Sequence, residues 1–314
     1  MILSVSRRTD IPNYYSEWFL NRIQEGFLYV RNPMNYHQIS RINLSPEVVD
    51  CIVFWTKNPL PMMDRLDELK NYKYYFQFTL TSYGREMEKN IPNKRKDMME
   101  AFQKLSIKIG KERVIWRYDP IIITSTYSME YHIKAFKEMA ESLCGYTDRV
   151  VISFVDMYNK IKHNMNTLKI VPFDNEMKRE IASAIAKLAH ANHMSIETCA
   201  ENIDLTDLDI EQGHCIDRKL IEQLIGYPIK TGKDKGQRKE CGCMESTEIG
   251  TYNTCFNGCQ YCYANFNEQK VLENKELYDT SSPLLCGMLS SKDKITERKD
   301  KSIIIKNEQL KLWD

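Results

Sequence analysis

The chain has 314 residues, of which 42% are hydrophobic and 28% are charged, and its formal net charge is +1. Such a composition is ordinary for a globular protein with one large core, and the near-neutral charge gives no overall attraction to nucleic acid or to a membrane surface. No apolar run approaches the length of a membrane span, and the first residues lack the basic-then-apolar order of a signal peptide. We therefore expect a cytoplasmic protein with no membrane partner.

Short apolar runs alternate with amphipathic helical patterns over the first two-thirds of the chain. Near-continuous apolar strands separated by helices indicate a parallel sheet whose outer face is covered by those helices. The strands are predicted at residues 2–6, 51–55, 74–80, 113–117, 149–154 and 195–198. Each strand is followed by a predicted helix, at residues 14–25, 60–69, 94–105, 129–143, 176–191 and 217–225.

Six strand–helix units are two fewer than a closed eight-stranded barrel needs. We therefore predict an α/β fold in which residues 1–226 form a partial (β/α)6 TIM-like barrel. A doubly wound sheet has the same local pattern, so the choice between the two depends partly on the cysteine motif below. Residues 27–44 hold two short strand-like runs, expected to form a hairpin beside the barrel. Residues 227–314 form a cysteine-rich segment and a tail, which we expect to pack on the barrel mouth.

Every predicted strand ends in polar or ionisable residues. In barrels the carboxyl ends of the strands point to one rim, and that rim carries the chemistry. The predicted catalytic side chains at this rim are Lys57, Arg117 and Asp119, because the two cations adjoin strands directly and the aspartate precedes a proline that restricts the turn. Polar residues begin loops in every fold, so an interpretation without a shared site stays open.

Ten cysteines in a chain expected to be cytoplasmic favour metal binding over a disulfide framework. The densest group is Cys255, Cys259 and Cys262, which have the spacing C-x3-C-x2-C and are followed at once by Tyr263. Three thiolates within eight residues can hold three irons of a [4Fe–4S] cluster and leave the fourth iron open to a substrate or cofactor. A structural zinc site is the alternative, although zinc usually takes four ligands in paired cysteine units.

This cysteine spacing, with the aromatic Tyr261 before the third cysteine, resembles the cluster motif of the radical S-adenosylmethionine (SAM) enzymes. More closely, the chain resembles a bacterial family known only as a domain of unknown function. That resemblance spans roughly residues 1–266 and is carried by SRRTDIP at 6–12, FWTKNP at 54–59, VIWRYDP at 114–120 and the cysteine motif. There are two departures from typical radical SAM enzymes, since the motif follows the sixth unit instead of the first strand, and no Gly-Gly-Glu segment is present.

The resemblance to radical SAM enzymes implies a mechanism. Cys255, Cys259 and Cys262 would bind a [4Fe–4S] cluster whose open iron is chelated by the amino and carboxylate groups of SAM. The reduced cluster would cleave SAM, and a 5′-deoxyadenosyl radical would take hydrogen from an unidentified small-molecule or nucleotide-like substrate. An electron donor such as ferredoxin or flavodoxin is implied as well. The residues that we expect to bind the cofactors, from their places at the rim or beside the motif, are Arg7, Arg8, Asp10, Glu201, Tyr261 and Tyr263.

A second set of cysteines lies between the end of the sixth predicted strand and the main motif. It consists of Cys199, Cys215, Cys241 and Cys243. Four thiolates are the number that an auxiliary [4Fe–4S] cluster or an all-cysteine zinc site requires, and we predict a second metal site here, a cluster in preference to zinc. The alternative is that some of these residues are ordinary buried cysteines, which behave as small hydrophobic residues.

Other functions stay open. The first is a nucleic-acid repair lyase of the photoproduct-lyase type, which a basic loop at residues 230–239 supports and the near-neutral net charge opposes. The second is a non-catalytic iron–sulfur protein for electron transfer or redox sensing, which would bind a cluster without cleaving SAM. A zinc-stabilised hydrolytic barrel is the third. Salt-dependent DNA binding and metal analysis distinguish these alternatives from a radical SAM-type enzyme.

Overall fold

The structure is a computed structural model that describes residues 1–155 and 168–305. Over these residues the fold is mixed α/β, and its centre is a parallel sheet of eight strands with a three-stranded sheet beside it. None of the helices in this part of the chain is both long and apolar enough to cross a membrane.

The strands of the large sheet lie side by side in nearly the order in which the chain forms them. The described strands are β1 (Ile2–Val5), β2 (Phe27–Arg31), β3 (Gln38–Asn43), β4 (Cys51–Thr56), β5 (Tyr74–Thr79), β6 (Val114–Ile121), β7 (Arg149–Phe154), β8 (Ser195–Cys199), β9 (Glu211–Gly213), β10 (Thr247–Glu248) and β11 (Lys294–Glu297). In the large sheet their order is β10-β1-β4-β5-β6-β7-β8-β9, and every neighbouring pair is parallel.

The six predicted strands are confirmed as β1 and β4 to β8, with ends that differ by a few residues. The sequence does not predict β9 and β10, because strands of three and two residues carry no apolar run of their own. They form by pairing with β8 and β1 at the two edges of the sheet. The predicted hairpin is confirmed as well, since β2 and β3 pair antiparallel, and β11 joins them in the small sheet.

Helices connect the strands, and five of them begin at a capping side chain. The helices are α1 (Ile11–Tyr14), α2 (Ser16–Glu25), α3 (Leu60–Met63), α4 (Met99–Ile109), α5 (Met129–Leu143), α6 (Asn175–Ala191), α7 (Arg218–Ile225) and α8 (Glu268–Glu276). Ser128, Asp174 and Asp217 accept backbone hydrogen bonds at the starts of α5, α6 and α7, which fixes where these helices begin. The predicted helix at residues 94–105 differs, because a π-helical turn, Lys94–Met98, precedes α4.

Each face of the large sheet has its own core, because alternate residues of a strand point to opposite faces. On one face, Phe54 and Trp116 pack with apolar side chains of the helices. On the other face, Val53 and Ile115 pack in a smaller cluster that includes Cys243. Burial on both faces explains why the strands read as near-continuous apolar runs.

The segment after residue 226 contacts both ends of the large sheet. Seven residues of the 255–264 segment, Cys255, Cys259 and Cys262 among them, line a cavity at the carboxyl ends of the strands. At the opposite end, the backbone N–H of Ile303 donates to the Asp50 carboxylate, which directly precedes β4, at 2.9 Å. The last part of the predicted tail, residues 306–314, lies outside the described residues.

Candidate functional site

A cavity of about 410 Å³ lies at the carboxyl ends of β1, β4, β6, β7 and β8. It is lined by all seven cysteines predicted to bind metal, namely Cys199, Cys215, Cys241, Cys243, Cys255, Cys259 and Cys262. The other predicted site residues that line it are Arg7, Arg8, Asp10, Lys57, Arg117, Asp119, Tyr261 and Tyr263. A larger cleft, of about 810 Å³, lies near the starts of β7 and β8 and is lined by none of the predicted site residues.

Asp10 fixes the cysteine motif to the first two parallel strands. One carboxylate oxygen accepts from the side chain of Asn257 at 2.9 Å and from the backbone N–H of Lys57 at 2.8 Å. The other oxygen accepts from the Thr56 hydroxyl at 2.7 Å. Burial raises the pKa of Asp10, and these hydrogen bonds act in the opposite direction. Since both oxygens accept hydrogen bonds within the protein, the carboxylate holds the motif in place.

Glu88 is a second anchor of the motif, and sequence reasoning missed it because it lies in the loop after β5 instead of at a strand end. Its buried carboxylate accepts from the Lys57 ammonium at 2.9 Å and from the Tyr261 hydroxyl, and it pairs with Lys94. A backbone bridge joins Glu88 to Cys259. Burial favours the neutral acid, but the two ammonium groups outweigh it and lower the pKa of Glu88 to about 2.

The thiols of Cys255, Cys259 and Cys262 are brought to one cavity by these anchors. Burial is the main cause that raises the pKa of each thiol, while the Lys57 ammonium favours the thiolate form of Cys259. In residues 1–155 and 168–305, no group of three or more His, Cys, Asp or Glu side chains is arranged to hold a metal ion. A [4Fe–4S] cluster takes one thiolate on each of three irons, so its ligands need a common cavity instead of a common ion. The shared cavity fits that requirement.

Apart from the Glu88 oxygen that pairs with Lys94, two buried polar atoms beside the motif have no hydrogen-bond partner in the described structure. One is the hydroxyl of Thr9, which lines the cavity, and the other is the side-chain oxygen of Asn265, whose amide nitrogen donates to the Cys255 carbonyl. Buried polar groups are nearly always paired, by protein, by water or by a ligand. The Thr9 hydroxyl therefore marks a place in the cavity wall where a bound molecule could accept or donate a hydrogen bond.

The arginines of the first strand end differ in their partners. Arg7 pairs with Asp234 at 3.2 Å, and the Tyr263 hydroxyl donates to the Arg7 carbonyl at 2.7 Å. The Arg8 guanidinium instead lies over the Tyr252 ring, 4.7 Å from its centroid. Within the described part of the chain, no ion pair includes Arg8. Arg8 is thus the rim cation whose charge remains available to an anionic ligand.

Arg117 and Asp119 form a buried pair in the cavity lining. The Arg117 guanidinium pairs with the Asp119 carboxylate, and the Ser153 hydroxyl donates to the same carboxylate. Burial would raise the pKa of Asp119, but the guanidinium more than offsets it, so the pKa is lowered. A second nitrogen of Arg117 donates to the Cys215 thiol at 2.8 Å. The pair therefore connects the predicted catalytic residues to the second cysteine set.

Glu201 is the predicted cofactor-binding residue that the structure does not bring to the cavity lining. One of its carboxylate oxygens accepts from the backbone N–H of Phe154 at 2.9 Å, and the other pairs with Lys178 at 3.1 Å. These contacts join the end of β7 to α6. In this position Glu201 supports the rim from behind the cavity.

Comparison with known proteins identifies a family but no activity. The family described as "Domain of unknown function (DUF1848)" matches residues 2–264. No curated protein matches the chain. Among solved structures, the crystal structure of a "putative alpha-L-fucosidase" from Bacteroides thetaiotaomicron VPI-5482 has a TM-score of 0.25 and 13% sequence identity, with 83% of this chain and 89% of that chain covered. A likeness of that size carries no argument about fold or function.

Proposed function

We propose that this chain, which belongs to the DUF1848 family, is a radical SAM-type enzyme that acts on an unidentified small or nucleotide-like substrate. The observation that supports the proposal is that Cys255, Cys259 and Cys262, with the spacing C-x3-C-x2-C, all line one cavity at the carboxyl ends of a parallel sheet. When bound there, a [4Fe–4S] cluster supplies an electron for cleavage of SAM and hence for hydrogen abstraction from a substrate.

The residues of the chain would hold and shield this cofactor pair. Cys255, Cys259 and Cys262 would each take one iron and leave the fourth iron facing the cavity. Asp10 and Glu88 hold the motif through hydrogen bonds to its neighbouring residues, so that the three thiols keep their places when the cavity is empty or filled. Because both anchors are buried, their hydrogen bonds to the motif are shielded from water.

Arg8 and Thr9 are the residues best suited to bind the polar groups of SAM. The Arg8 guanidinium has no carboxylate partner in the described residues and can form a bidentate pair with a carboxylate. The buried Thr9 hydroxyl has an unused hydrogen-bonding capacity at the same strand end. They replace Asp10 and Glu201 in this role, since the carboxylates of those two residues already have partners within the protein.

We also propose that the large sheet is curved as a partial TIM-like barrel. Its strands follow the chain order from β1 through β9 without the reversal that a doubly wound sheet requires. Right-handed crossovers between parallel strands then place their helices on one face, and the large core between strands and helices agrees with that. A curved sheet would explain why so many strand ends line one cavity.

Electron paramagnetic resonance on anaerobically reconstituted, reduced protein tests the proposed function. We expect a [4Fe–4S]+ signal that changes when SAM is added, and that disappears in the Cys259→Ala variant. The matched control is Cys144→Ala, because Cys144 is exposed and does not line the cavity. A cluster signal that does not change when SAM is added would instead favour an electron-transfer or redox-sensing protein. Absence of any iron signal after reconstitution would overturn both functions.

A radical SAM-type enzyme needs a partner that donates single electrons, such as a ferredoxin or a flavodoxin. It also needs a reducing compartment such as the cytoplasm, where thiols stay available to iron. A nucleic-acid substrate remains an outcome to test, because Arg238 of the basic loop lines the cavity. Retention of a DNA duplex at low salt that is lost steeply as salt rises would favour the repair-lyase alternative.

A further inference from the structure

The second cysteine set is a separate feature of the cavity. Cys199 ends β8, Cys215 precedes α7, and Cys241 and Cys243 lie in the loop before β10. All four line the same cavity as the motif. Cys51, Cys144 and Cys286 do not line it. The fold therefore collects four thiols from three chain segments at one wall, which ordinary core packing does not require.

Short contacts join the chain segments that carry these four cysteines. The Cys199 and Cys215 sulfur atoms are 3.4 Å apart. The Cys243 sulfur accepts from the backbone N–H of Ile216, the residue after Cys215, at 3.4 Å. Two thiolates bound to one tetrahedral zinc ion, at about 2.3 Å each, stand about 3.8 Å apart. The separation of the first pair is thus already close to that of ligands on a shared metal.

The charge environment of this wall suits thiolates. A guanidinium nitrogen of Arg117 donates to the Cys215 sulfur at 2.8 Å, although a buried structural cysteine needs no cation beside it. Donors to ligand sulfur atoms are a regular part of iron–sulfur and zinc sites, because they offset the negative charge of the thiolates. The arginine therefore has the position of an outer partner of a thiolate-ligated metal.

The loop that carries Cys241 and Cys243 is held against the other two cysteines. The backbone N–H of Met244 donates to the Ile216 carbonyl at 3.2 Å, next to Cys215 in the chain. Between the two loop cysteines, Gly242 packs so closely on the His214 ring that a Cβ atom would come within 2.2 Å of its Nε2. A side chain at this position would have to displace the exposed His214 ring.

From these contacts we infer that Cys199, Cys215, Cys241 and Cys243 bind a second, independent thiolate-ligated metal centre in the same cavity as the motif. The shared chemistry is four cysteine sulfurs with an arginine donor, and the metal is either one zinc ion or an iron–sulfur cluster. Among the described residues no three His, Cys, Asp or Glu side chains are arranged around a single ion, so metal binding requires these four sulfur atoms to come closer together. The inference uses no residue of the motif and does not depend on the proposed function.

A variant that lacks the motif thiols separates the two centres. We would prepare the full chain with Cys255→Ala, Cys259→Ala and Cys262→Ala, and load it anaerobically either with Zn²⁺ alone or with iron and sulfide. After desalting we expect about one zinc, or about four irons with about four sulfides, per chain. Adding Cys241→Ala and Cys243→Ala should reduce the bound metal to less than about a tenth of that. The control pair Cys144→Ala and Cys286→Ala should change nothing.

The zinc and iron loadings distinguish the two metals, and retention of either supports the inference. A folded triple variant that retains neither overturns it, and so does metal that survives the loss of Cys241 and Cys243. Circular dichroism decides whether the triple variant is folded. If it is not, the Cys241→Ala and Cys243→Ala pair in the native chain must lose one zinc or about half of the iron, and unchanged content overturns the inference. If the proposed function is wrong, the paramagnetic signal of the motif cluster will not change when SAM is added.

Discussion

The two groups of cysteines lie on one cavity but are built in different ways. Cys255, Cys259 and Cys262 lie within eight residues of the chain. The buried carboxylates of Asp10 and Glu88 hold their segment in place. The second group comes from three segments and contacts a guanidinium instead of a carboxylate. A local motif can thus be recognised from the sequence before the residues that anchor it are known. A dispersed set of thiols can be recognised as a possible site only in the folded structure, where the sheet brings its members together.

The difference in surrounding charge has a chemical consequence. The carboxylates near the motif act through hydrogen bonds and ion pairs to its neighbours, and they hold Lys57 close to Cys259. Near the second group, Arg117 acts on a sulfur atom directly. We therefore expect metal binding by the motif to require the carboxylates of Asp10 and Glu88. Metal binding by the second group should require that the 241–243 loop packs close to Cys199 and Cys215.

The largest expected effect is the loss of one cysteine from the motif. In Cys259→Ala the SAM-responsive paramagnetic signal should disappear, because the remaining two thiols cannot fix a cluster with one open iron. In Cys243→Ala that signal should persist. Spectra of the two reconstituted, reduced variants check the expectation. Equal loss in both variants would mean that the two groups form one centre, and the comparison would fail.

The next largest effect is expected from Glu88→Gln. The substitution leaves the Lys57 and Lys94 ammonium groups buried without their shared carboxylate. Breaking a buried ion pair in this way costs about 3–5 kcal/mol of the free energy of unfolding. Urea unfolding of the metal-free protein measures it. The matched control is Glu138→Gln, since Glu138 pairs with the exposed Arg95 and should lose less than about 1 kcal/mol. Similar losses in both variants would contradict the role of Glu88 as an anchor.

A smaller effect on the free energy of unfolding is expected from His132. This residue lies away from both cysteine groups, so it reports the stability of the fold apart from them. Its ring is buried, accepts from the Tyr118 hydroxyl and donates to the Ile122 carbonyl, so it is neutral in the folded state. Burial lowers the pKa of His132 to about 4 from an ordinary value of 6.5. As the pH falls, the His132 ring therefore takes up a proton in the unfolded chain before it does so in the folded chain.

The stability that the neutral His132 ring provides is fully present above pH 6.5 and is lost progressively between pH 6.5 and about 4. At pH 5 the free energy of unfolding should be lower than at pH 7 by about 2 kcal/mol from this residue alone. Urea unfolding of the metal-free chain at both pH values gives the difference. In His132→Gln that part of the pH dependence should vanish, whatever the absolute stability. A variant with the same pH dependence as the native chain would refute the assignment.

The smallest expected effect is at Gly242, on the second group. In Gly242→Ala the added Cβ atom meets the exposed His214 ring, which must move aside, so the free energy of unfolding should fall by about 1 kcal/mol or less. In a chain without the motif cysteines the altered loop should bind less metal, and in the native chain the motif cluster should be unchanged. Gly232→Ala is the control, because a Cβ atom there meets nothing within 4 Å. Metal content equal in both variants would show that the second group does not depend on close packing of its loop.

Much of the fold could be predicted because its signals are local. Six parallel strands, the hairpin and the main helices follow from apolar periodicity and from capping residues such as Ser128 and Asp217. Strands β9 and β10 could not be predicted in this way, because they exist only by pairing with the edges of a sheet formed by other segments. The same applies to Glu88, whose loop shows no pattern that identifies an anchor.

By itself the sequence determined the strand–helix alternation, the spacing of Cys255, Cys259 and Cys262, and the polar residues at the strand ends. Only the tertiary structure decided which of those residues share a cavity, that Asp10 is an anchor, and that Glu201 lies outside the lining. The physical reason is that periodicity and spacing act over a few residues along the chain. Hydrogen bonding, burial and charge depend on distances in space, and those distances are set only when the sheet has formed.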